Sequence, residues 1–336
     1  MINTSDFQKA IDLINNSGNI LIATHTKPDG DACGCVAALA YTLQKLNKNV
    51  KQLLLSALPW WYEFLFETRP EILSVDSVEE QLKNIKTFNP DLIILADVNS
   101  DNQLPRFSDI LKQNHCKVLV IDHHITNDGL GDIELIDTTA SAAGVIVYDL
   151  LNRADWPVTP KIAQALFVAV ATDTGWFHFA NTDSRTFKIA ADLIAKGAQP
   201  AELYCHLYQN FTPSRFKLMA AMLNSLQLDL DGRYATQQLL KEAFKNAQAS
   251  YEDTENLIDE CQRINSIQAA ALFVQLADGR IKCSLRSRGA VDVREIAQKF
   301  GGGGHKMAAG ATFDTNLTDA KKLIFDQIAE QFNLLK

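Results

Sequence analysis

Apolar and polar positions follow two different periods along the first half of the chain. Short, nearly continuous apolar runs at Asn19–Thr24, Val50–Leu55, Leu92–Asp97 and Lys117–Asp122 read as buried strands. Amphipathic stretches over 5–16 and 31–46 read as helices, the first with Ser5 and Gln8 spaced as a capping box. Strands separated by helical stretches predict an α/β fold with a parallel sheet covered by helices on both faces. Such sheets place their ligand crevice beyond the carboxyl ends of the strands.

From Ser141 to about Leu226 the pattern is almost wholly helical, punctuated by Pro157, Pro160, Pro200 and Pro213. The texture then changes. Asp231-Gly232 and Asp278-Gly279 are hairpin signals, the second joining strands over Ala269–Leu276 and Arg280–Arg286. Gly301–Gly304 reads as a loop, and a final helix starts at Leu317. The expected organisation is a parallel-sheet domain over 1–195, a helical linker over 196–227, and a smaller α/β domain with a mixed sheet over 228–336.

Composition narrows the function classes. The 336 residues suffice for two domains, and the hydrophobic and charged fractions of 47% and 21% are those of a soluble globular protein. No apolar run approaches the roughly 18 residues needed to span a bilayer, and residues 1–7 lack the basic start of a signal peptide. Six cysteines (33, 35, 116, 205, 261 and 283) without a CxxC pair argue against disulfides or a thiolate zinc site. These features imply a cytoplasmic protein with no membrane partner. Thirty-two Lys plus Arg against forty Asp plus Glu, a net charge of −8, argue against a non-specific grip on long nucleic acid.

Candidate chemistry gathers at the strand ends. His25, Asp29 and Asp31 follow the first strand, Asp97 ends another, Asp122-His123-His124 ends a third, and Asp173 follows the apolar run 165–172. One Asp after a strand is often only a cap or turn residue. Adjacent histidines plus aspartates at every neighbouring strand end have no such packing use. Carboxylates and imidazoles without thiolates suit Mn²⁺ or Mg²⁺, and there are enough ligands for two ions. Two ions about 3.5–4 Å apart bind a phosphoryl group, activate water and stabilise the leaving oxygen. The expected chemistry is hydrolysis at phosphorus.

His25-Thr-Lys-Pro-Asp29-Gly-Asp31, Asp97, Asp122-His123-His124 and Asp173-Thr-Gly175 resemble the four motifs of the DHH phosphoesterase superfamily. Arg286-Ser287-Arg288-Gly289 followed by Gly301-Gly302-Gly303-Gly304-His305 resembles its DHH-associated C-terminal domain. Together they resemble the NrnA-type branch, oligoribonucleases that also act on adenosine 3′,5′-bisphosphate (pAp). The resemblance implies that His25 and Asp29 hold one cation and that Asp31, His123 and Asp173 hold the other. Asp97 would bridge them, with manganese ahead of magnesium. It further implies that His124 meets the scissile phosphate, that Asp122 orients the imidazoles, and that the protein is a homodimer. Two positions depart from the family: Cys35 stands where Ser is usual, and Trp176 where some relatives carry Arg.

Arg286, Ser287, Arg288, Gly302, Gly303, Gly304 and His305 form an expected substrate-binding set. Guanidinium groups recognise phosphate oxygens bidentately, and consecutive glycines leave backbone N–H groups open to an anion. With no further domain expected after residue 336, unlike the larger RecJ-type exonucleases, short oligoribonucleotides and pAp are the expected substrates. The alternatives with the same ions are a linear pApA or cyclic-dinucleotide phosphodiesterase and an exopolyphosphatase-like hydrolase. A non-catalytic nucleotide sensor would have no need for all six ligands.

Overall fold

The computed structural model describes residues 2–73, 78–113 and 116–334. The chain forms two compact units, 1–210 and 211–336, the break falling inside the 196–227 segment.

The first unit runs α1 (Thr4–Asn16), β1 (Asn19–Ala23), α2 (Gly30–Lys45), β2 (Asn49–Leu54), β3 (Glu71–Ile72), α3 (Val78–Phe88), β4 (Leu92–Ala96), α4 (Phe107–Gln113), β5 (Lys117–Asp122) and β6 (Ile133–Ile136). Helices α5 (Ala143–Arg153), α6 (Pro160–Asp173), α7 (Ser184–Ala195) and α8 (Pro200–Tyr208) follow. The six strands pair in the order β3-β2-β1-β4-β5-β6, every pair parallel. All five residues of β4 are buried, as expected of a central strand covered on both faces. One core joins the sheet to α1, α2, α5, α6 and α7. A second core on the opposite face takes Leu21, Ile93, Leu95 and Val120 from the strands together with Ile85 and Phe107.

The second unit runs α9 (Pro213–Asn224), β7 (Gln227–Asp229), β8 (Tyr234–Leu239), α10 (Lys241–Ala247), β9 (Ala269–Gln275), β10 (Ile281–Ser287), α11 (Val293–Lys299), β11 (Gly303–His305), β12 (Ala308–Phe313) and α12 (Leu317–Leu334). Its sheet, β11-β12-β10-β9-β8-β7, is mixed: β8 and β9 are parallel and the other pairs antiparallel. Strand β10 alternates buried and half-buried positions, its buried side meeting α11 and α12.

Two local expectations are corrected. Helix α1 begins at Thr4 after Asn3 and has no side-chain cap, so the Ser5–Gln8 capping box does not form. Ser5 lies inside the first turn, and Gln8 instead donates to Asp12 one turn on, at 2.9 Å. The glycine run is not wholly a loop, because Gly303 and Gly304 belong to edge strand β11.

Small residues set the spacing of the helices behind the site. A Cβ on Gly34 of α2 would fall 2.4 Å from the Ala165 carbonyl oxygen and 2.8 Å from Ala169 Cβ, both on α6. Nothing there yields cheaply, because one neighbour is backbone. Gly34→Ala is therefore expected to destabilise the protein by about 1–3 kcal/mol through overpacking. Urea unfolding would show the midpoint lowered, whereas Gly303→Ala, which meets nothing within 4 Å, should shift it far less.

Candidate metal centre

Strand order reverses between β1 and β4, and the crevice of an open α/β sheet lies at that reversal. His25 and Asp29 follow β1, Asp97 follows β4, and Asp122 ends β5 with His123 and His124 beyond it. Asp31 sits in the first turn of α2, and Asp173 is the last residue of α6. The sheet and two helix ends thus deliver all six candidate ligands to one place. His25, Asp29 and Asp97 offer donor atoms mutually within 4.8 Å, as do Asp31, His123 and Asp173, and Asp97 also groups with His123 and His124.

The separations are those of groups around an ion rather than of hydrogen bonds. His25 Nε2 lies 3.5 Å from Asp97 Oδ2 and 4.0 Å from Asp29 Oδ1. His123 Nε2 lies 3.8, 3.7 and 3.6 Å from carboxylate oxygens of Asp31, Asp97 and Asp173. Hydrogen bonds would be shorter, whereas two coordinate bonds of about 2.1 Å meeting at one cation span up to about 4.2 Å. Asp97 Oδ1 is buried and has no hydrogen-bond partner among the described residues. The donor set fits divalent cations.

Imidazole orientation supports the same fit. His25 Nδ1 donates to the Thr26 carbonyl at 2.8 Å, and His123 Nδ1 to that of Ala140 at 3.2 Å. A carbonyl can only accept, so the proton is on Nδ1 and each Nε2 turns a lone pair toward the carboxylates. His124 is arranged differently. Its Nδ1 lies 2.8 Å from Asp122 Oδ1, which also accepts from the His123 backbone N–H at 2.8 Å. The buried Asp122 carboxylate therefore fixes both histidines of its motif.

Backbone donors hold the carboxylates. Asp29 is the N-cap of α2 and accepts from Asp31 and Ala32 N–H, so one residue serves as both helix cap and candidate ligand. Asp31 accepts from Ala143 N at 2.6 Å, Gly144 N at 2.9 Å and the Cys35 thiol at 3.4 Å. Cys35 thus does more than fill space in α2. The segment 137–144 was invisible as a site element, because it contributes through main-chain atoms: the Ala140 carbonyl to His123, and two N–H groups to Asp31. It is braced by Arg185, which bonds Asp137 at 2.9 Å and also Asp149. Asn181 Nδ2 donates to the Ser141 and Asp173 carbonyls, tying the segment to the end of α6.

Burial dominates the electrostatics. It holds the Asp31 carboxyl well above its usual range, reinforced by the charges of Asp173 and Asp29. Asp97 rises for the same reason, with Asp31 and Asp29 adding repulsion. Asp173 is pushed up to about 7, by burial first and then by Asp29. Burial pulls His123 down, whereas the hydrogen bond to Asp122 raises His124. Such a site calls for positive charge.

In the second unit, Arg286 and His305 both pair with Ala308 from opposite sides, so they stand on one face of the sheet at one level. Arg286 Nε donates to Asp259 at 2.8 Å, and Arg288 bonds the Asn265 and Gln262 carbonyls. Ser287 is buried, its Oγ accepting from Gly289 and Val291 N–H, so it shapes the turn after β10. The expectation of free N–H groups along the glycine run is corrected in part. Gly301 N donates to Gln298 O and Gly302 N to Ala297 O. Glycine at 302 answers a packing demand instead, since a Cβ would fall 2.1 Å from the Gly310 carbonyl oxygen.

Comparisons with known proteins place the whole chain within one family. Residues 19–170 match the model of the DHH family, N-terminal domain, and residues 231–331 that of the DHHA1 domain. The chain is 30% identical over 316 residues to the bifunctional oligoribonuclease and PAP phosphatase NrnA of Thermus thermophilus, covering 94% of this chain and 90% of that one. It is 27% identical to the Bacillus subtilis protein of the same name, over 87% and 88% of the two chains. Among solved structures, an exopolyphosphatase-related protein from Bacteroides fragilis superposes with a TM-score of 0.93 at 24% identity, over 100% and 98% of the two chains. Among the described residues, no helix is long and apolar enough to cross a membrane.

A carboxyl raised from 3.8 to about 7 on folding favours the folded state at low pH, and that contribution is lost as pH rises toward 7. Asp31 and Asp97 act in the same direction. The protein in chelator is therefore expected to melt lower at pH 8 than at pH 5.5. Excess Mn²⁺ should raise the melting temperature more at pH 8, because the ion binds the ionised carboxylates. Thermal unfolding in EDTA and in Mn²⁺ at both pH values checks this.

Proposed function

The chain belongs to the DHH family of phosphoester hydrolases, with a DHHA1 domain following its DHH domain, and we propose that it cleaves short oligoribonucleotides to mononucleotides and pAp to AMP and phosphate. The observation that carries this reading is the convergence of six carboxylate and imidazole donors at the switch point of the sheet.

In this reading His25 and Asp29 would hold one divalent cation, Asp31, His123 and Asp173 would hold a second, and Asp97 would serve both. Oxygen and imidazole donors without thiolates favour manganese, with magnesium second. When bound, the two cations polarise the phosphoryl group and activate water. The chain's own residues do the rest. Asp122 keeps His124 Nδ1–H engaged, which leaves Nε2 to carry a proton toward the leaving oxygen. The same hydrogen bond raises the His124 pKa. Arg286, Arg288, His305 and the exposed backbone of Gly303 and Gly304 are proposed to hold an anionic part of the substrate, with Gly302 and Ser287 shaping that surface. The net charge of −8 favours short ligands over long polyanions.

Purified protein with Mn²⁺ is expected to release mononucleotide from a dinucleotide and phosphate from pAp, both ahead of cyclic di-AMP and polyphosphate. Polyphosphate turnover exceeding both would overturn the substrate reading. Asp97→Asn should lower the rate on either nucleotide substrate by at least about 10³-fold, since it removes the carboxylate that faces both cations. His124→Ala should cost about 10²–10⁴-fold in kcat, the usual worth of a positioned proton donor, with Mn²⁺ affinity kept by calorimetry. Full activity in Asp97→Asn would refute catalysis at this centre.

A further inference from the structure

The rim of the centre in the first unit carries an aromatic wall that the hydrolytic scheme leaves unused. Its parts come from the loop and 3-10 turn after β2 (Trp60–Leu65), the turn after α6, and helix α8. Ser56 in the first of these accepts from Lys27 N at 2.6 Å, tying that loop to the segment between His25 and Asp29. Tyr62 lies near enough to Asp29 and Tyr208 for both to act on its hydroxyl, whose pKa is driven up chiefly by burial.

Trp176 stands three residues after Asp173. Phe167 and Phe177 back its ring on one side, at 5.9 and 6.4 Å between centroids. Tyr204 and Tyr208 meet it edge-on at 5.1 and 5.6 Å, and lie 5.0 Å from each other one turn apart on α8. The two tyrosines keep 38% and 39% of their surface exposed. Trp176 and Phe177 have φ values of 60° and 67°, directly after Gly175 at 55°. Bulky residues rarely adopt this left-handed backbone, and strain of that kind collects where a side chain must be aimed. Packing alone would have buried the tyrosines. Instead an indole three residues from the candidate ligand Asp173 and two half-open phenols packed on it make an apolar yet wet surface of the kind on which bases stack.

We propose that Trp176, Tyr204 and Tyr208 form a stacking platform for the nucleobase of the nucleotide whose phosphate lies at the metal centre. This rests on the phosphoesterase reading and extends it from phosphate chemistry to base recognition. The platform is tolerant of base identity, because every base has a π-face. Trp176, where some relatives carry Arg, supplies its rigid centre.

The test compares an intact dinucleotide with one carrying an abasic residue, in Mn²⁺, for the wild type and for Tyr204→Ala/Tyr208→Ala. Alanine suits an exposed helix face, so the variant should fold; circular dichroism and Mn²⁺ affinity check this. The preference for intact over abasic substrate, as a ratio of kcat/KM, is expected to fall about tenfold, chiefly through KM. The double variant to Phe should restore it. An unchanged ratio in a folded, metal-binding variant would sink the proposal. A wild type that cleaves neither dinucleotide removes the phosphoesterase reading and this one with it.

Discussion

Everything in the first unit is organised around an unfavourable act, the gathering of carboxylates out of water with no cationic side chain to meet them. Asp31, Asp97 and Asp122 are almost sealed from solvent, and among the described residues no Lys or Arg pairs with them or with Asp173. Taking an ionised carboxylate out of water costs several kcal/mol unless it is compensated. Protonation is one escape, visible in the upward shifts of Asp31, Asp97 and Asp173. A divalent cation would be the other, favouring the charged form. Part of the acidic excess of the chain therefore lies inside the first unit rather than on its surface.

Holding such a cluster requires a stiff frame, and the frame is built from small residues. Gly34 lets α2 approach α6, and Gly144 lets α5 do the same, a Cβ there falling 2.6 Å from Ala169 Cβ. That closeness brings the N–H groups of Ala143 and Gly144 onto Asp31. The carbonyl of Ala140 in the preceding turn reaches His123. One short segment thus fixes ligand candidates from two motifs, and Arg185 and Asn181 fix the segment. The donors come from the ends of β1, β4 and β5 and from the facing ends of α2 and α6, so displacement of any one of these elements opens the cluster.

The parallel sheet, its helices and the six donors were legible because strands with apolar runs announce themselves and titratable side chains are conspicuous at their ends. What stayed hidden has a common physical cause. Edge strands β3 and β6 are partly exposed and short, so no run of apolar residues marks them. The main-chain donors of 143–144 have no residue signature at all. Ser5 and Gln8 have the spacing of a capping box, yet the helix starts one residue earlier, where the chain enters through Asn3. Four glycines in a row suggested an open anion loop, but two of their N–H groups close the end of α11 and two glycines join a sheet edge. Composition reports freedom of the backbone, not how the fold spends it.

The second unit treats its charged side chains in a different manner. Its arginines are not left bare. Arg286 is held by Asp259, and Arg288 by carbonyls of 262 and 265, so both planes are oriented before any ligand arrives. A guanidinium oriented in advance loses less freedom when it meets phosphate than a lysine would. Ala308 between Arg286 and His305, with Gly303 and Gly310 paired beside it, keeps that face of the sheet low. Carboxylates without a cationic side-chain partner in the first unit and guanidiniums oriented in advance in the second are the two features on which the proposed hydrolysis of short phosphoesters rests.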